Sequence, residues 1–189
     1  MKVVVKYGMS PDASLELLAD SSILPTGRPL FIPDWAAAFT ATLSIAARIN
    51  RLGKCIAPRF AHRYWDSVTA CLLTQGIDKQ GNVIARQALS RAHDGALVLG
   101  QMMSKDVIAH GTQLACMVDG NTATLVTLQG LPKLIDDTIV EMSQYMTLKM
   151  GDLLCITSDC TLPLLINSAT ELTLNGQKVL KTKDRKSVV

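Results

Sequence analysis

Apolar and polar positions alternate most regularly over Phe39-Thr40-Ala41-Thr42-Leu43-Ser44-Ile45, which puts Ala41, Leu43 and Ile45 on one side of an extended chain and Thr40, Thr42 and Ser44 on the other. The pattern predicts a strand with one oily and one hydroxylated face. A second apolar run, Val68 to Leu73, ends at Gly76-Ile77-Asp78. Between the two, Pro58 to Asp66 reads as a short helix, since proline at the first helical position loses no needed donor. Residues 2–7 predict a first strand broken by Gly8 to Pro11, and Ser14 to Leu18 a helical turn. Leu24 to Pro29 is a turn, Leu30 to Trp35 leads into the alternating strand, and Val98 to Gln101 reads as strand. Asp119-Gly120-Asn121 joins Thr112–Val118 to Thr122–Leu128 as a hairpin. Ile135, Ile139, Met142 and Met146 form a helical core stripe with Asp136 and Asp137 at its acidic start. Strands at Leu153–Thr157 and Leu162–Ile166 and a last hairpin around Asn175-Gly176 complete a strand-rich α+β chain without repeats or linkers.

At 189 residues the chain is expected to form one domain, 1–189. Aromatic residues are only 4% of it, so core volume must come from aliphatic side chains and a base-stacking surface is not expected. The formal charge of +3 owes part of its excess to Lys181-Thr182-Lys183-Asp184-Arg185-Lys186, and residues 181–189 read as a flexible basic tail rather than a nucleic-acid arm. Pro33, Asp34, Arg48 and Arg51 interrupt the most apolar region, so no spanning segment is expected. Met1-Lys2-Val3-Val4-Val5-Lys6 lacks the layout of a secretory leader; the expectation is a cytoplasmic protein with neither membrane nor nucleic-acid partner. The five cysteines form no C-x-x-C pair and read as buried free thiols, and His62, His93 and His110 as structural or solvated.

Several blocks, in order, resemble the fumarylacetoacetate hydrolase family, which includes acylpyruvate hydrolases and hydratase-isomerases. They are Gly27 to Asp34, Arg51-Leu52-Gly53-Lys54, Arg59 to Tyr64, His93-Asp94-Gly95 and Tyr145 to Leu154. The resemblance implies a mixed β-sandwich roll, usually dimeric. It also implies a divalent cation, commonly Mg²⁺, held by carboxylates, which stabilises the enolate formed when a carbon–carbon bond is cut.

Matched position by position, the family's ligands are changed. Its two strand glutamates fall on Thr40 and Thr42, and its aspartate on the next strand falls on Leu73. Its following arginine falls on Ile77, while an aspartate and a glutamine are kept as Asp78 and Gln80. The active-site lysine corresponds to Arg91, and of the terminal Thr-Gly-Thr-Pro loop only Thr157 survives, in Thr157-Ser158-Asp159-Cys160. The amino-terminal histidine and glutamate that would activate water have no match, since no histidine precedes His62. The resemblance therefore leads to a shortened member that has lost metal-dependent hydrolysis, with no metal or other cofactor. Such a chain would be a homodimer or the partner of an active paralogue, binding a small carboxylic acid through Gln80, Arg91, Thr157 and the backbone near Gly95. The alternative is an active hydrolase or hydratase-isomerase of small keto-acids, using Mg²⁺ or Mn²⁺ in a rearranged site.

Overall fold

The computed structural model describes residues 1–32, 35–84, 93–165 and 167–186. In chain order the strands are β1 (Val3–Lys6), β2 (Leu15–Leu18), β3 (Ile23–Pro25), β4 (Leu30–Ile32), β5 (Ala38–Ile49), β6 (Trp65–Ile77), β7 (Leu97–Leu99), β8 (Met103–Ser104), β9 (Thr112–Val118) and β10 (Asn121–Leu128). Helix α1 (Leu131–Tyr145) follows, then β11 (Leu153–Leu164), β12 (Ala169–Leu174) and β13 (Gln177–Lys186). The larger sheet runs β2-β1-β11-β5-β6-β7-β3, with β8 also on β6, and the smaller runs β10-β9-β12-β13-β4. Parallel pairs (β1 with β11, β3 with β7, β4 with β13) among antiparallel ones make both sheets mixed, as expected of a strand-rich α+β roll.

The alternation read in Phe39–Ile45 continues to Ile49. Phe39, Ala41, Leu43, Ile45, Ala47 and Ile49 all lie in the main core, with Val68, Ala70 and Leu72 of β6 beside them. Leu114 and Cys116 of β9, Leu172 and Leu174 of β12 and Val179 and Leu180 of β13 close the core from the smaller sheet, and Ile135, Ile139 and Met142 of α1 complete it. The outer face of the larger sheet holds a second cluster: Val3, Val5, Leu18, Ala46, Cys71, Leu73, Leu97, Leu153 and Cys155. Both predicted hairpins form, and Asp119-Gly120 and Asn175-Gly176 supply the positive φ angles that tight hairpin turns require.

Several expectations are corrected. Ser14 to Leu18 holds a strand, because Leu15–Leu18 pairs antiparallel with β1 at the sheet edge. The basic stretch from 181 is not a tail as far as Lys186: it extends β13, pairing with β12 and then in parallel with β4. Helix α1 starts at Leu131 with Pro132 in its first turn, so Asp136 and Asp137 lie inside the helix rather than at its start. Residues 58–63 form a 3₁₀ helix, and β11 runs unbroken from Leu153 to Leu164 with an irregularity between Thr157 and Thr161. Cys71, Cys116 and Cys155 are buried and free as expected, Cys160 is half-buried, and Cys55 is exposed.

Candidate functional site

The strand order β11-β5-β6 decides which side chains meet on the outer face. In register, Thr42 stands opposite Leu73 and Thr40 opposite Gln75 on β6, while on β11 Thr161 stands opposite Thr42 and Thr157 opposite Ser44. Thr40, Thr42, Leu73 and Thr157 are therefore brought together from three neighbouring strands.

Their chemistry differs from one to the next. Thr42 Oγ1 and Thr161 Oγ1 share a hydrogen bond of 2.9 Å. The Ser44 hydroxyl, fully buried, donates to the Thr42 carbonyl at 3.1 Å. Leu73 is buried in the outer apolar cluster. Below it, Cys71 and Cys155 reach across β5, their Sγ atoms 3.7 Å apart. The gap between them is spanned by Ala46 and Ser44, whose small side chains leave room. Burial, and then the neighbouring Cys155 thiol, push the Cys71 thiol well above its ordinary range, so it stays protonated. Thr157 Oγ1 accepts the Gly8 backbone N–H at 2.9 Å, so the segment after β1 closes over it. Sequence reasoning missed that closure, which joins residues 149 positions apart.

The remaining candidates do not join this group. Asp78 spends its carboxylate on its own turn: Oδ1 accepts the Gln80 N–H at 2.9 Å and the Asn82 N–H at 2.8 Å. Gln80 is exposed on that turn. Arg91 lies outside the described residues. His93, read as structural, packs edge-on against Phe39 and Trp35 on the inner side, its Nε2 3.0 Å from Thr74 Oγ1. The Thr74 hydroxyl also lies 3.0 Å from the Gly95 carbonyl, to which it donates. Beside it, Leu24, Pro29, Leu30, Phe31, Trp35 and Asp94 line an open, mostly apolar hollow of about 440 Å³.

These positions can be tested against a divalent cation of the Mg²⁺ or Mn²⁺ kind. Such an ion takes six or more oxygen ligands, carboxylates prominent among them. Thr40 and Thr42 offer neutral hydroxyls, one already bonded to Thr161, and Leu73 offers none. Among the described residues, no three His, Cys, Asp or Glu side chains group so as to hold a metal. The residues at these positions do not fit the ion.

A family model described as fumarylacetoacetate (FAA) hydrolase, C-terminal, matches residues 9–179. No curated protein matches the sequence. Among solved structures, 5-carboxymethyl-2-hydroxymuconate delta-isomerase from Mycobacterium smegmatis superposes with a TM-score of 0.82 at 19% identity, over 100% of this chain and 80% of that one. Fumarylpyruvate hydrolase from Pseudomonas aeruginosa, in complex with Mn²⁺ and pyruvate, does so with a TM-score of 0.79 at 14% identity, over 99% and 90%. Maleylpyruvate hydrolase from Sphingobium sp. SYK-6, in complex with manganese(II) and pyruvate, gives 0.82 at 14%, over 99% and 71%. At these identities the structures share the fold with this chain.

Proposed function

The chain belongs to the fumarylacetoacetate hydrolase family, and from that premise we propose that it keeps the family's roll while having given up metal-dependent carbon–carbon bond hydrolysis. It serves instead as a cytoplasmic binding module for a small carboxylic acid, or as a partner subunit. One observation carries the reading: Thr42 and Leu73 are direct cross-strand partners, with Thr40 two residues along the same face. At those positions the family resemblance calls for carboxylates. Hydrolysis of an acylpyruvate needs a cation to stabilise the enolate left by bond cleavage, and a hydroxyl–leucine frame gives that cation no charge to bind.

A second reading has its own support. Two of the solved structures that share this fold hold manganese and pyruvate, which favours an active hydrolase or isomerase of small keto-acids whose ligands come from other positions. Equilibrium dialysis against Mn²⁺ with an acylpyruvate turnover assay separates the two. Stoichiometric metal with turnover would sink the first reading. The restored variant Thr40→Glu/Thr42→Glu/Leu73→Asp is expected to gain Mn²⁺ affinity; a folded triple variant that binds none would break the correspondence on which the first reading stands. The dimeric state, homodimer or pair with a paralogue, is open to measurement by sedimentation and co-purification.

A further inference from the structure

At the far end of β5 from Thr40 and Thr42 lies a face the proposed function leaves unused. Seven residues of strand separate Thr42 from Ile49, roughly 23 Å. Beyond Ile49, residues 51–63 carry Arg51, Lys54, Arg59, His62 and Arg63, all exposed, and no aspartate or glutamate. Backbone hydrogen bonds seat this segment. Gly53 N donates to Leu148 O at 3.0 Å and Leu148 N to Gly53 O at 2.8 Å, which lays Arg51–Lys54 beside exposed Lys149 and Met150. Cys55 N donates to Ser143 O at 2.8 Å, which brings in the last turn of α1 and Tyr145.

The three arginines lie against aromatic rings. Arg59 and Arg63 sit over the Phe60 ring, 4.6 and 5.2 Å from its centre, and Arg51 lies over Tyr64 at 5.9 Å. Carboxylates on neighbouring elements have partners of their own: Asp66 with Arg48, Glu141 with Lys6, Asp137 with Lys133, Asp152 with Lys2, and Asp136 with the Trp65 ring N–H, facing His62 and Lys105 of this end as well. Among the described residues, none lies within ion-pair distance of Arg51, Lys54, Arg59, Arg63 or Lys149. Interleaved with these cations are bare apolar tips: Leu52 is 68% exposed, Met150 76% and Tyr145 77%.

We propose that this end of the roll docks on an anionic lipid bilayer. Leu52 and Met150 enter the headgroup region, and Arg51, Lys54, Arg59, Arg63 and Lys149 contact the anionic headgroups. The two halves of the pattern select this partner together. A nucleic acid would use the cations but reward neither leucine nor methionine. A second copy would set five cations against five. A bilayer interface takes both, through apolar burial and surface potential. No helix among the described residues is long and apolar enough to cross a membrane, and docking in the interface needs none.

The test is co-sedimentation of the full chain with phosphatidylserine-containing vesicles, with phosphatidylcholine vesicles as control. Binding is expected only to the anionic vesicles, weakening as salt is raised. Each cation removed, as in Arg59→Ala or Lys149→Ala, should lower it about fivefold. Leu52→Ser/Met150→Ser should lower it roughly tenfold or more without changing the circular dichroism spectrum or the melting temperature. Lys178→Ala/Lys181→Ala, at the remote Glu171 pair, should bind as the parent does. Three results would overturn the proposal: no binding at low salt, equal binding to neutral vesicles, or loss of cations but not of apolar tips mattering. The last, with capture by oligodeoxythymidine or polyglutamate in solution at matched charge, would assign the face to a soluble polyanion or acidic protein instead.

Discussion

The two faces of β5 were built under different constraints. Toward the main core every second residue from Phe39 to Ile49 is apolar and buried, in one cluster with side chains of both sheets and of α1. Away from it the same strand passes from hydroxyls at Thr40, Thr42 and Ser44, through Ala46, to exposed Arg48. One face must fill a fixed volume, so its chemistry is uniform. The other has to satisfy what stands across from it, and on the proposed reading carboxylates there have given way to hydroxyls and leucine while the roll survives.

The sharpest way to break the comparison is to cut both faces to the same size. Leu43→Ala is expected to lower unfolding free energy by about 3 kcal/mol, the range for a fully buried leucine. In equilibrium urea unfolding, equal losses for Leu43→Ala and Thr42→Ala would erase the distinction between the faces. The next largest effect lies where β5 ends. The Asp152 carboxylate pairs with Lys2 Nζ and accepts the Lys2 N–H at 3.0 Å and the Lys149 N–H at 2.8 Å. Burial alone would push this carboxyl up, but those hydrogen bonds and the Lys2 charge hold it below the usual carboxylate range. A carboxyl whose folded-state value is depressed stabilises the fold above its unfolded value and loses that contribution as pH falls through the folded one. Asp152→Asn should therefore cost about 2 kcal/mol near pH 7 and progressively less below about pH 4. A loss that stays constant across that interval in melts at stepped pH would contradict the assignment.

Smaller effects test the outer face itself. Thr157→Val strands the Gly8 N–H, and about 1 kcal/mol of stability with faster proteolysis at residues 8–13 is the expected outcome. Thr42→Val removes only the bond to Thr161, and a change of roughly 0.5 kcal/mol or less is expected by the same unfolding measurement. If Thr42→Val proves as costly as Leu43→Ala, the hydroxyl face is structural, and the reading of it as a vacated frame loses its ground.

Period-two alternation made β5 legible, because a strand buried on one face writes that burial directly into its residue order. The family resemblance put Thr42 and Leu73 on successive strands, and that they stand directly across from each other came only with the register. Contacts set by distant partners left no such trace. Ser14 to Leu18 reads as a helical turn until β1 offers its edge to Leu15–Leu18, and the basic run from 181 reads as solvated until Leu30–Ile32 pairs with 184–186. Asp136 reads as a helix-start acid, yet its carboxylate takes the Trp65 ring N–H at 2.7 Å, 71 residues away, and burial raises its carboxyl despite that bond. Asp78 matches the family in kind, but the turn that follows β6 takes its carboxylate for the Gln80 and Asn82 backbone N–H groups, while the Gln80 side chain is exposed.

The thiols of Cys71 and Cys155 touch, yet they belong to strands with β5 between them. Two strand spacings put their backbones roughly 9–10 Å apart, well outside the span of about 4.4–6.8 Å that a disulfide bridges. Oxidants can bring the sulfurs no closer to a bond while the sheet is intact, and alkylating reagents cannot reach them. The pair is thus a silent clock for the central sheet: the rate at which Cys71 and Cys155 become labelled, resolved by peptide from exposed Cys55, half-buried Cys160 and buried Cys116, counts how often these three strands come apart.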